Sequence, residues 1–237
     1  MKILALESSA AAASAAVCED EELIALSLQR TGLTHSATLL PMLEDLLKNA
    51  GLALADMDVL AVAAGPGSFT GLRIGVSALK GLAWGADKPC AGCSTLESMA
   101  WQAACLGEGT LCELCPVMDA RRNQVYNARF AVRDGAPVRL TEDRAISLAD
   151  LMAEAENSQK TQILVGDGAL LCYNAFREAG IAARLAPPHL RHQSAWGVAR
   201  CALELARRGA LTDAFALRPD YHRLSQAERE RLEKGNS

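Results

Sequence analysis

The stretch from Gly65 to Gly75, with the sequence GPGSFTGLRIG, constrains the fold of this chain more than any other segment. It follows an uninterrupted apolar run at 59–64 and opens a segment, 70–86, that has no proline and only two charged residues. A buried strand, a glycine turn and a helix N-terminus in that order are typical of α/β proteins, where the turn brings backbone N–H groups close to a phosphate or a neighbouring segment. No Gly-Lys-[Ser/Thr] follows, and the glycine spacing is not that of a dinucleotide fingerprint. The pattern therefore predicts the fold class without predicting a standard nucleotide loop.

Glycines continue into the predicted helix at four positions. Glycine costs a helix ~1 kcal/mol relative to alanine, so their number predicts that another backbone comes close to the helix. At 100° per residue, an aliphatic ridge occupies one side of the helix and a face of small residues occupies the other. The small-residue face consists of Gly71, Gly75, Ala78, Gly81 and Gly85.

A second predicted helix, at 36–49, is apolar around much of its circumference. Its apolar side chains sweep roughly 160°, which is wider than the ~100° stripe that one supporting sheet needs. Two interpretations are open. The two helices pack on each other within one chain, or both meet a matching pair of helices in a four-helix interface with a partner.

Composition limits the class of protein. Of the 237 residues, half are hydrophobic and only 4% are aromatic, which predicts one or two domains with an aliphatic core. No run approaches the ~18 apolar residues of a membrane span, and the N-terminus becomes acidic too soon for a signal peptide. Eight cysteines without an export signal predict free thiols in a reducing cytoplasm. The net charge of -4 gives no general attraction to nucleic acid, so a partner would supply much of that attraction.

The apolar pattern predicts the same order of elements in two halves of the chain. In the first half, strands are predicted at 2–7, 12–18, 23–28, 58–64 and 89–93, with helices at 36–49, 70–86 and 95–105. In the second half, strands are predicted at 111–118, 124–133, 138–140, 162–165 and 182–185, with helices starting at 147, after 168 and at 194. Each half is therefore predicted to be βββαβαβα.

This duplicated order is the plan of the actin-like fold of actin, sugar kinases and the Hsp70 ATPase (the ASKHA fold). Its two ribonuclease-H-like halves each hold a mixed sheet flanked by helices. We place the first half at 1–106, the second at 107–218 and a charged C-terminal tail at 219–237.

Two Cys-x-x-Cys pairs, Cys90 with Cys93 and Cys112 with Cys115, have a spacing that fits a four-cysteine zinc site. Each pair falls on a predicted strand, however, where positions i and i+3 point to opposite faces. We therefore favour buried small hydrophobic residues over zinc. His189 and His192 follow two prolines and are interpreted as a surface linker rather than a metal pair, so no metal is predicted.

Three segments match phosphate or adenosine loops only in part. Glu7, Ser8 and Ser9 end the first strand, where related phosphate-transferring enzymes hold magnesium. Asp119 begins the corresponding turn of the second half, and Gly166 begins a short glycine turn at the level of the adenosine loop. Together they predict a vestigial nucleotide site.

The chain resembles the TsaB (YeaZ) family of bacterial subunits that take part in making threonylcarbamoyladenosine in tRNA. The resemblance covers most of the chain and rests above all on the 65–75 string, with support from 3–9, 93–96, 118–121 and 219–221. The motif residues are Gly65, Pro66, Gly67, Ser68 and Thr70. The chain has Glu7 where the family usually has Asp, which weakens any expectation of metal and nucleotide chemistry.

The resemblance implies an actin-like fold without a catalytic site of its own. It implies docking through the first two helices onto a TsaD-like catalytic subunit, with a TsaE-like ATPase completing the assembly. That complex transfers threonylcarbamoyl from its adenylate to N6 of the tRNA adenosine next to the anticodon. Mg-ATP and metal would belong to the partner subunits, and tRNA would be reached through the complex. The expected interface residues are His35, Leu39, Leu43, Leu46, Phe69, Gly71, Arg73, Gly75, Ala78 and Leu82.

Other interpretations follow from the same residues. An isolated chain is expected to form a cytoplasmic homodimer through the same apolar surface. A small-molecule kinase or ATPase, with Glu7, Ser8 and Ser9 at the γ-phosphate, is the alternative from a different class, and a zinc-ribbon protein that touches RNA is a third. The arginine pairs at 121–122 and 207–208 are candidate tRNA contacts, although such pairs on an acidic chain are more often a solvated surface.

Overall fold

The structure is a computed structural model that describes residues 1–222, and the statements below concern those residues. The first half forms a five-stranded sheet of order β3-β2-β1-β4-β5. Its elements are β1 (Lys2–Glu7), β2 (Ala13–Glu19), β3 (Glu22–Gln29), α1 (His35–Ala50), β4 (Val59–Gly65), α2 (Phe69–Ala86), β5 (Cys90–Ser94) and α3 (Thr95–Ala103). The three strands that lead this half form an antiparallel meander, and β4 and β5 add parallel strands beyond β1. The predicted order of the first half is confirmed.

The second half forms a seven-stranded sheet with two more strands than predicted before its first long helix. Its elements are β6 (Cys112–Asp119), β7 (Gln124–Asn127), β8 (Phe130–Arg133), β9 (Ala136–Arg139), β10 (Arg144–Ser147), α4 (Leu148–Ser158), β11 (Thr161–Val165), α5 (Ala169–Glu178), β12 (Ala183–Leu185), α6 (Pro188–Arg191) and α7 (Ala195–Arg207). From α4 onward the predicted alternation of helix and strand holds, with the one-turn α6 inserted where a linker was expected.

The extra strands arise because one edge of β6 has two partners. The predicted strand at 124–133 is wrong as a single element, since β7 pairs with the end of β6 and β8 pairs with it at Leu114. Asn127 sits at the break, where its buried Nδ2 donates to the carbonyl oxygens of Pro116 and Ala128. The strand β10, which was not predicted, pairs with β7. A side-chain amide thus satisfies backbone groups that a continuous strand would have paired.

The helices that end the two halves pack between the two sheets. The apolar face of α7 lies on the first sheet, against residues such as Ile3 and Ala61. The apolar face of α3 lies on the second sheet, against residues such as Leu114 and Phe130. Gly197 of α7 lies so close to α3 that a Cβ there would overlap the Ser98 carbonyl oxygen. The last helix of each half therefore packs in the core of the other half. Division of the chain into two units at 106/107 remains a prediction from sequence.

The outer faces of the sheets are covered by the remaining long helices. The helices α1 and α2 lie on the outer face of the first sheet, and α4 and α5 lie on that of the second. Ser68 caps the N-terminus of α2, accepting a hydrogen bond from Gly71 N at 3.4 Å, and Gly51 ends α1 in the left-handed conformation. None of the helices in residues 1–222 is long and apolar enough to cross a membrane.

In each Cys-x-x-Cys pair, the two cysteines lie on opposite faces of their sheet. Cys90 packs into the core under α1 and α2, whereas Cys93 packs into the core under α7. Cys112 and Cys115 likewise lie on opposite faces of the second sheet. The predicted opposite-face arrangement is confirmed, and within the described part of the chain no three His, Cys, Asp or Glu side chains come together as a possible metal site.

Candidate functional site

The glycine turn at 65–67 is shaped by two other segments of its own chain. A Cβ at Gly65 would overlap the carbonyl oxygen of Asp220, and a Cβ at Gly67 would lie 2.7 Å from that of Ser9. Backbone hydrogen bonds of 2.7 Å join Ser68 N to the Ser9 oxygen and Asp220 N to the Ala64 oxygen. The turn needs glycine because the chain passes it closely on both sides.

The first two glycines of α2 face the protein interior. A Cβ at Gly71 would overlap the carbonyl oxygen of Ser8, and one at Gly75 would overlap the hydroxyl of Ser8. The Ser8 hydroxyl donates to the Gly71 carbonyl oxygen at 2.9 Å. Another backbone segment therefore does come close to α2, as the glycines predict, but that segment is the turn after β1 of the same chain. Gly81 and Gly85, in contrast, are exposed, and a Cβ at either position would meet no heavy atom of residues 1–222 within 4 Å.

Five of the ten expected interface residues cannot form a partner surface where the structure places them. Leu39, Leu43 and Leu46 lie in the core between α1 and the first sheet, and Gly71 and Gly75 are buried against the turn after β1. For these residues the prediction is wrong, because the apolar arc of α1 faces its own sheet. His35 is half-buried, with Nε2 2.6 Å from the Ala10 carbonyl oxygen. Phe69, Arg73, Ala78 and Leu82 keep some exposure and stay predictions.

The helix pair retains an exposed surface, which we call the outer helix face. It consists of Leu40 and Glu44 on α1 with Ser77, Gly81 and Gly85 on α2. Leu40 is an exposed large apolar side chain, and the exposed positions of α2 named here carry a hydroxymethyl group or no side chain. The exposed Trp84 borders them and packs edge-on against Phe215, with ring centroids 6.0 Å apart. Such a surface lets another helix approach closely.

A C-terminal strap, residues 212–222, runs along the other flank of α2. Leu217 is buried in the core of the first sheet, and Lys80 Nζ donates to its carbonyl oxygen at 3.1 Å. At the N-terminal end of α2, Tyr221 stacks on Phe69 with ring centroids 4.7 Å apart and accepts a 3.0 Å hydrogen bond from Arg73 Nε. The first residues of the predicted charged tail, 219–222, thus belong to the folded body, and 223–237 lie outside the described residues.

A cavity of about 680 Å³ opens between the two sheets, where the strap ends. It is lined by the turn after β1, the N-terminus of α2, the turn after β6, and the strap. Its polar lining includes Ser9, Thr70, Asp119, Arg121, Asp167 and His222. The predicted vestigial site is partly assembled there, since Ser9 and Asp119 line the cavity while Glu7 and Ser8 lie buried behind it. Gly166 instead packs against the Val117 carbonyl oxygen, and its neighbour Asp167 reaches the cavity.

Glu7 is a buried carboxyl group with little to hold its charge. Its Oε1 accepts a 2.5 Å hydrogen bond from Ser9 N, and no well-oriented donor among residues 1–222 reaches Oε2. Burial raises the pKa of Glu7 to about 7, an effect that the nearby Asp167 carboxylate increases and the contacts with Ser9 oppose. Partial desolvation of its carboxyl group at the cavity wall raises the pKa of Asp167, a residue that otherwise stays exposed, against the hydrogen bond from Gln193. Near neutral pH, Glu7 is therefore a poor anchor for a magnesium ion.

Sequence reasoning missed the contribution of Asp167 and of the strap residues Asp220 and His222 to this cavity. The signal that could have found the strap is the apolar Leu217 followed by Pro219 and Tyr221, which is unlike the charged residues beyond it.

Curated relatives cover most of the chain. It is 29% identical over 240 residues to the tRNA threonylcarbamoyladenosine biosynthesis protein TsaB of Bacillus subtilis, covering 98% of this chain and 99% of that protein. It is 33% identical over 185 residues to the protein of the same name in Escherichia coli, covering 78% of this chain and 79% of that protein.

Solved structures agree with the topology. A Pseudomonas aeruginosa protein described as similar to the peptidase YeaZ superposes with a TM-score of 0.76 at 25% identity, over 94% of this chain and 99% of that one. The ROK hexokinase of Thermus thermophilus shares the fold, with a TM-score of 0.51 at 13% identity over 87% of this chain and 100% of that one.

The architecture is that of an actin-like ATPase-fold (ASKHA) protein. The family described as TsaD: tRNA N6-adenosine threonylcarbamoyltransferase matches residues 29–230. The chain belongs to this family, within its TsaB (YeaZ) group.

Proposed function

We propose that this protein is a non-catalytic subunit of the machinery that makes threonylcarbamoyladenosine in tRNA. Membership of the TsaB group carries this proposal. In it, the chain docks on a TsaD-like catalytic subunit, a TsaE-like ATPase joins the complex, and tRNA is the shared substrate. Mg-ATP and metal act on the partner subunits, and the complex works in the cytoplasm.

The outer helix face is the docking surface in this proposal. Leu40 supplies an apolar anchor, and Gly81 and Gly85 leave room for a facing helix. An isolated chain pairs with a second copy through the same face, because its apolar anchor would otherwise stay in contact with water. This docking surface uses the exposed Gly81 and Gly85 instead of the buried Gly71 and Gly75, and it lies on the same two helices.

A non-catalytic role agrees with the chemistry of the cavity. A nucleotide site of this fold needs an ionised acidic side chain at the end of β1 to hold magnesium, and the raised pKa of Glu7 opposes that. The carboxylates of Asp119, Asp167 and Asp220 add negative charge around the cavity, which disfavours a bare phosphate.

The docking surface is tested by placing a large side chain on it. In Gly81→Leu, the added side chain occupies open space in the free chain, so the fold is retained while a facing helix is pushed away. We expect co-purification with the TsaD-like subunit to fall at least ~10-fold, since loss of a well-packed interface centre costs more than ~1.4 kcal/mol. Asn174→Leu, which places the same side chain on the exposed side of α5, is the control and should co-purify as the unmodified chain does. Equal capture of both variants would remove the outer helix face from the proposal.

The actin-like kinase is kept as a second candidate because the cavity lies between the two sheets, where a ligand could be enclosed. Calorimetric titration with Mg-ATP separates the two. We expect no binding at micromolar concentrations. Micromolar binding together with turnover that Glu7→Ala abolishes would replace the subunit proposal with the kinase.

A further inference from the structure

The turn that joins β6 to β7 has an unusual backbone. Arg121, Arg122 and Asn123, which we call the arginine hairpin, have φ angles of 62°, 55° and 56°. The left-handed region costs an ordinary L-residue ~1–2 kcal/mol, and asparagine tolerates it better than arginine does. Turns of this kind normally use Asn-Gly, Asp-Gly or Gly-Gly. Two successive arginines therefore make this turn less stable than one of these glycine-containing sequences would.

The surrounding structure holds this conformation in place. Arg121 N donates to Asp119 Oδ1 at 2.6 Å, and Gln124 N donates to the Arg121 carbonyl oxygen at 3.1 Å. The Asn123 carbonyl oxygen accepts from Leu148 N, the first residue of α4, at 3.0 Å. The hairpin is thus tied to both its own strand and the next helix, so its two arginines project from a fixed base.

The side chains of the two arginines have no structural task. Both residues are exposed, and neither guanidinium has an ion pair or hydrogen bond to any of residues 1–222. Other arginines of the second half are used within the fold. Arg129, Arg139 and Arg144 form ion pairs with Glu113, Asp143 and Glu154. Strained backbone conformations that the surrounding structure holds in place cluster at sites where a protein meets a ligand.

We propose that the arginine hairpin contacts the phosphate backbone of an RNA directly. The proposal rests on the proposed function, which brings an RNA to this complex, and goes beyond it because tRNA was expected to be reached through the partner. Arginine and asparagine side chains are the usual donors to backbone phosphates. The tip exposes Arg121, Arg122 and Asn123 with no aromatic or aliphatic side chain among them, whereas a protein interface needs such an anchor at its centre.

The position of the hairpin fits this role. Arg121 lines the cavity between the sheets, as do the exposed side chains of Asp119 and Asp167. Arg122 and Asn123 are exposed and do not line this cavity, so a phosphate chain is attracted to the tip of the hairpin rather than drawn in among the acidic side chains.

The hairpin belongs to the second half, and Arg121 lines the same cavity as Thr70 in the first turn of α2. Gly81 of the outer helix face lies about three turns further along that helix, so an RNA can reach the hairpin while a partner occupies the face.

The test measures binding of an unmodified tRNA transcript to the full chain assembled with its TsaD-like subunit, at several KCl concentrations. In Arg121→Gln/Arg122→Gln, we expect the Kd to rise ~5- to 20-fold at low salt and the slope of log Kd against log[KCl] to fall by ~1–2, as loss of one or two phosphate contacts predicts. Arg121→Lys/Arg122→Lys keeps both charges, on which salt-dependent attraction to backbone phosphates depends, and should bind within ~3-fold of the unmodified complex.

Arg133→Gln/Arg177→Gln is the matched control, since it removes the same charge from two exposed arginines of the second half that have no ion pair within residues 1–222. Equal loss of binding in this control, or no loss in the hairpin variant, would overturn the inference. Loss of the TsaD-like subunit from the hairpin variant during gel filtration would overturn it too, because the hairpin would then contact protein. If the unmodified complex left tRNA unmodified, the proposed function would fail and this inference with it. Normal modification with unchanged hairpin-variant binding would reject the inference alone.

Discussion

The residue that best shows how burial sets chemistry in this fold is Glu7. It ends a strand whose other residues are almost all apolar and buried, and it has one firm hydrogen bond, from Ser9 N. Its place at the end of β1 could be predicted from the sequence, because an apolar run stops there. Its raised pKa could not, since that depends on how Asp167 and the turn after β1 close around it. Sequence gives the type of a side chain, and tertiary packing gives its ionisation.

Stability should depend on pH through this group. The folded pKa of about 7 lies above the ordinary value of 4.5, so the folded state keeps a proton that the unfolded state releases. The contribution of Glu7 to stability is therefore fully present below pH 4.5 and is lost as the pH rises to about 7. Glu7→Gln mimics the protonated form and should reduce the difference in unfolding free energy between about pH 5 and pH 8 by roughly 2–3 kcal/mol. Urea unfolding of both proteins at the two pH values measures it, and an unchanged difference would contradict the assignment.

Among the elements, α2 combines two kinds of glycine. The sequence predicted correctly that a backbone approaches this helix, but helical periodicity alone cannot say whether that backbone belongs to the same chain. The four glycines split into Gly71 and Gly75, which face Ser8, and Gly81 and Gly85, which face open space. The same limit explains the missed strand β10, whose four residues gain their place by pairing with β7.

Alanine substitutions should separate the two kinds. In Gly75→Ala, the new methyl group overlaps the Ser8 hydroxyl and presses on Val62, so we expect a loss of roughly 1–3 kcal/mol, typical of an overpacked core. In Gly81→Ala, the methyl group meets nothing, so helix propensity should stabilise the fold by up to ~1 kcal/mol. Thermal unfolding of the two variants gives the comparison. Similar melting temperatures for both would show that Gly75 does not pack as the structure describes.

At the scale of the whole molecule, the exchange of α3 and α7 joins the two halves. The sequence predicted two halves of similar plan, and the sheets confirm that plan apart from the extra strands. It did not predict that α7 would complete the first sheet, because an amphipathic helix does not encode which sheet it will cover. Nor did it place the strap, whose buried anchor is the single residue Leu217.

This arrangement predicts that the two sheets unfold together. Removal of α7 would expose one face of the first sheet, and α3 packs against both α7 and the second sheet. Native-state hydrogen exchange should therefore give β4 and β11 the same opening free energy, within ~1 kcal/mol. Gly197→Ala, which forces α7 away from Ser98, should lower both values in parallel. If the opening free energy fell in one sheet and not in the other, the proposed coupling between the two sheets would be contradicted.

The strap and α7 also have a consequence for synthesis of the protein. The strands of the first sheet leave the ribosome early, but the helix that covers one of their faces and the leucine that plugs the other are both encoded after residue 194. During translation one apolar face of the first sheet therefore stays exposed. Its core can be completed only when nearly the entire polypeptide has emerged. A premature stop between residues 208 and 217 would leave an incomplete first core, even though every strand of both sheets had been made.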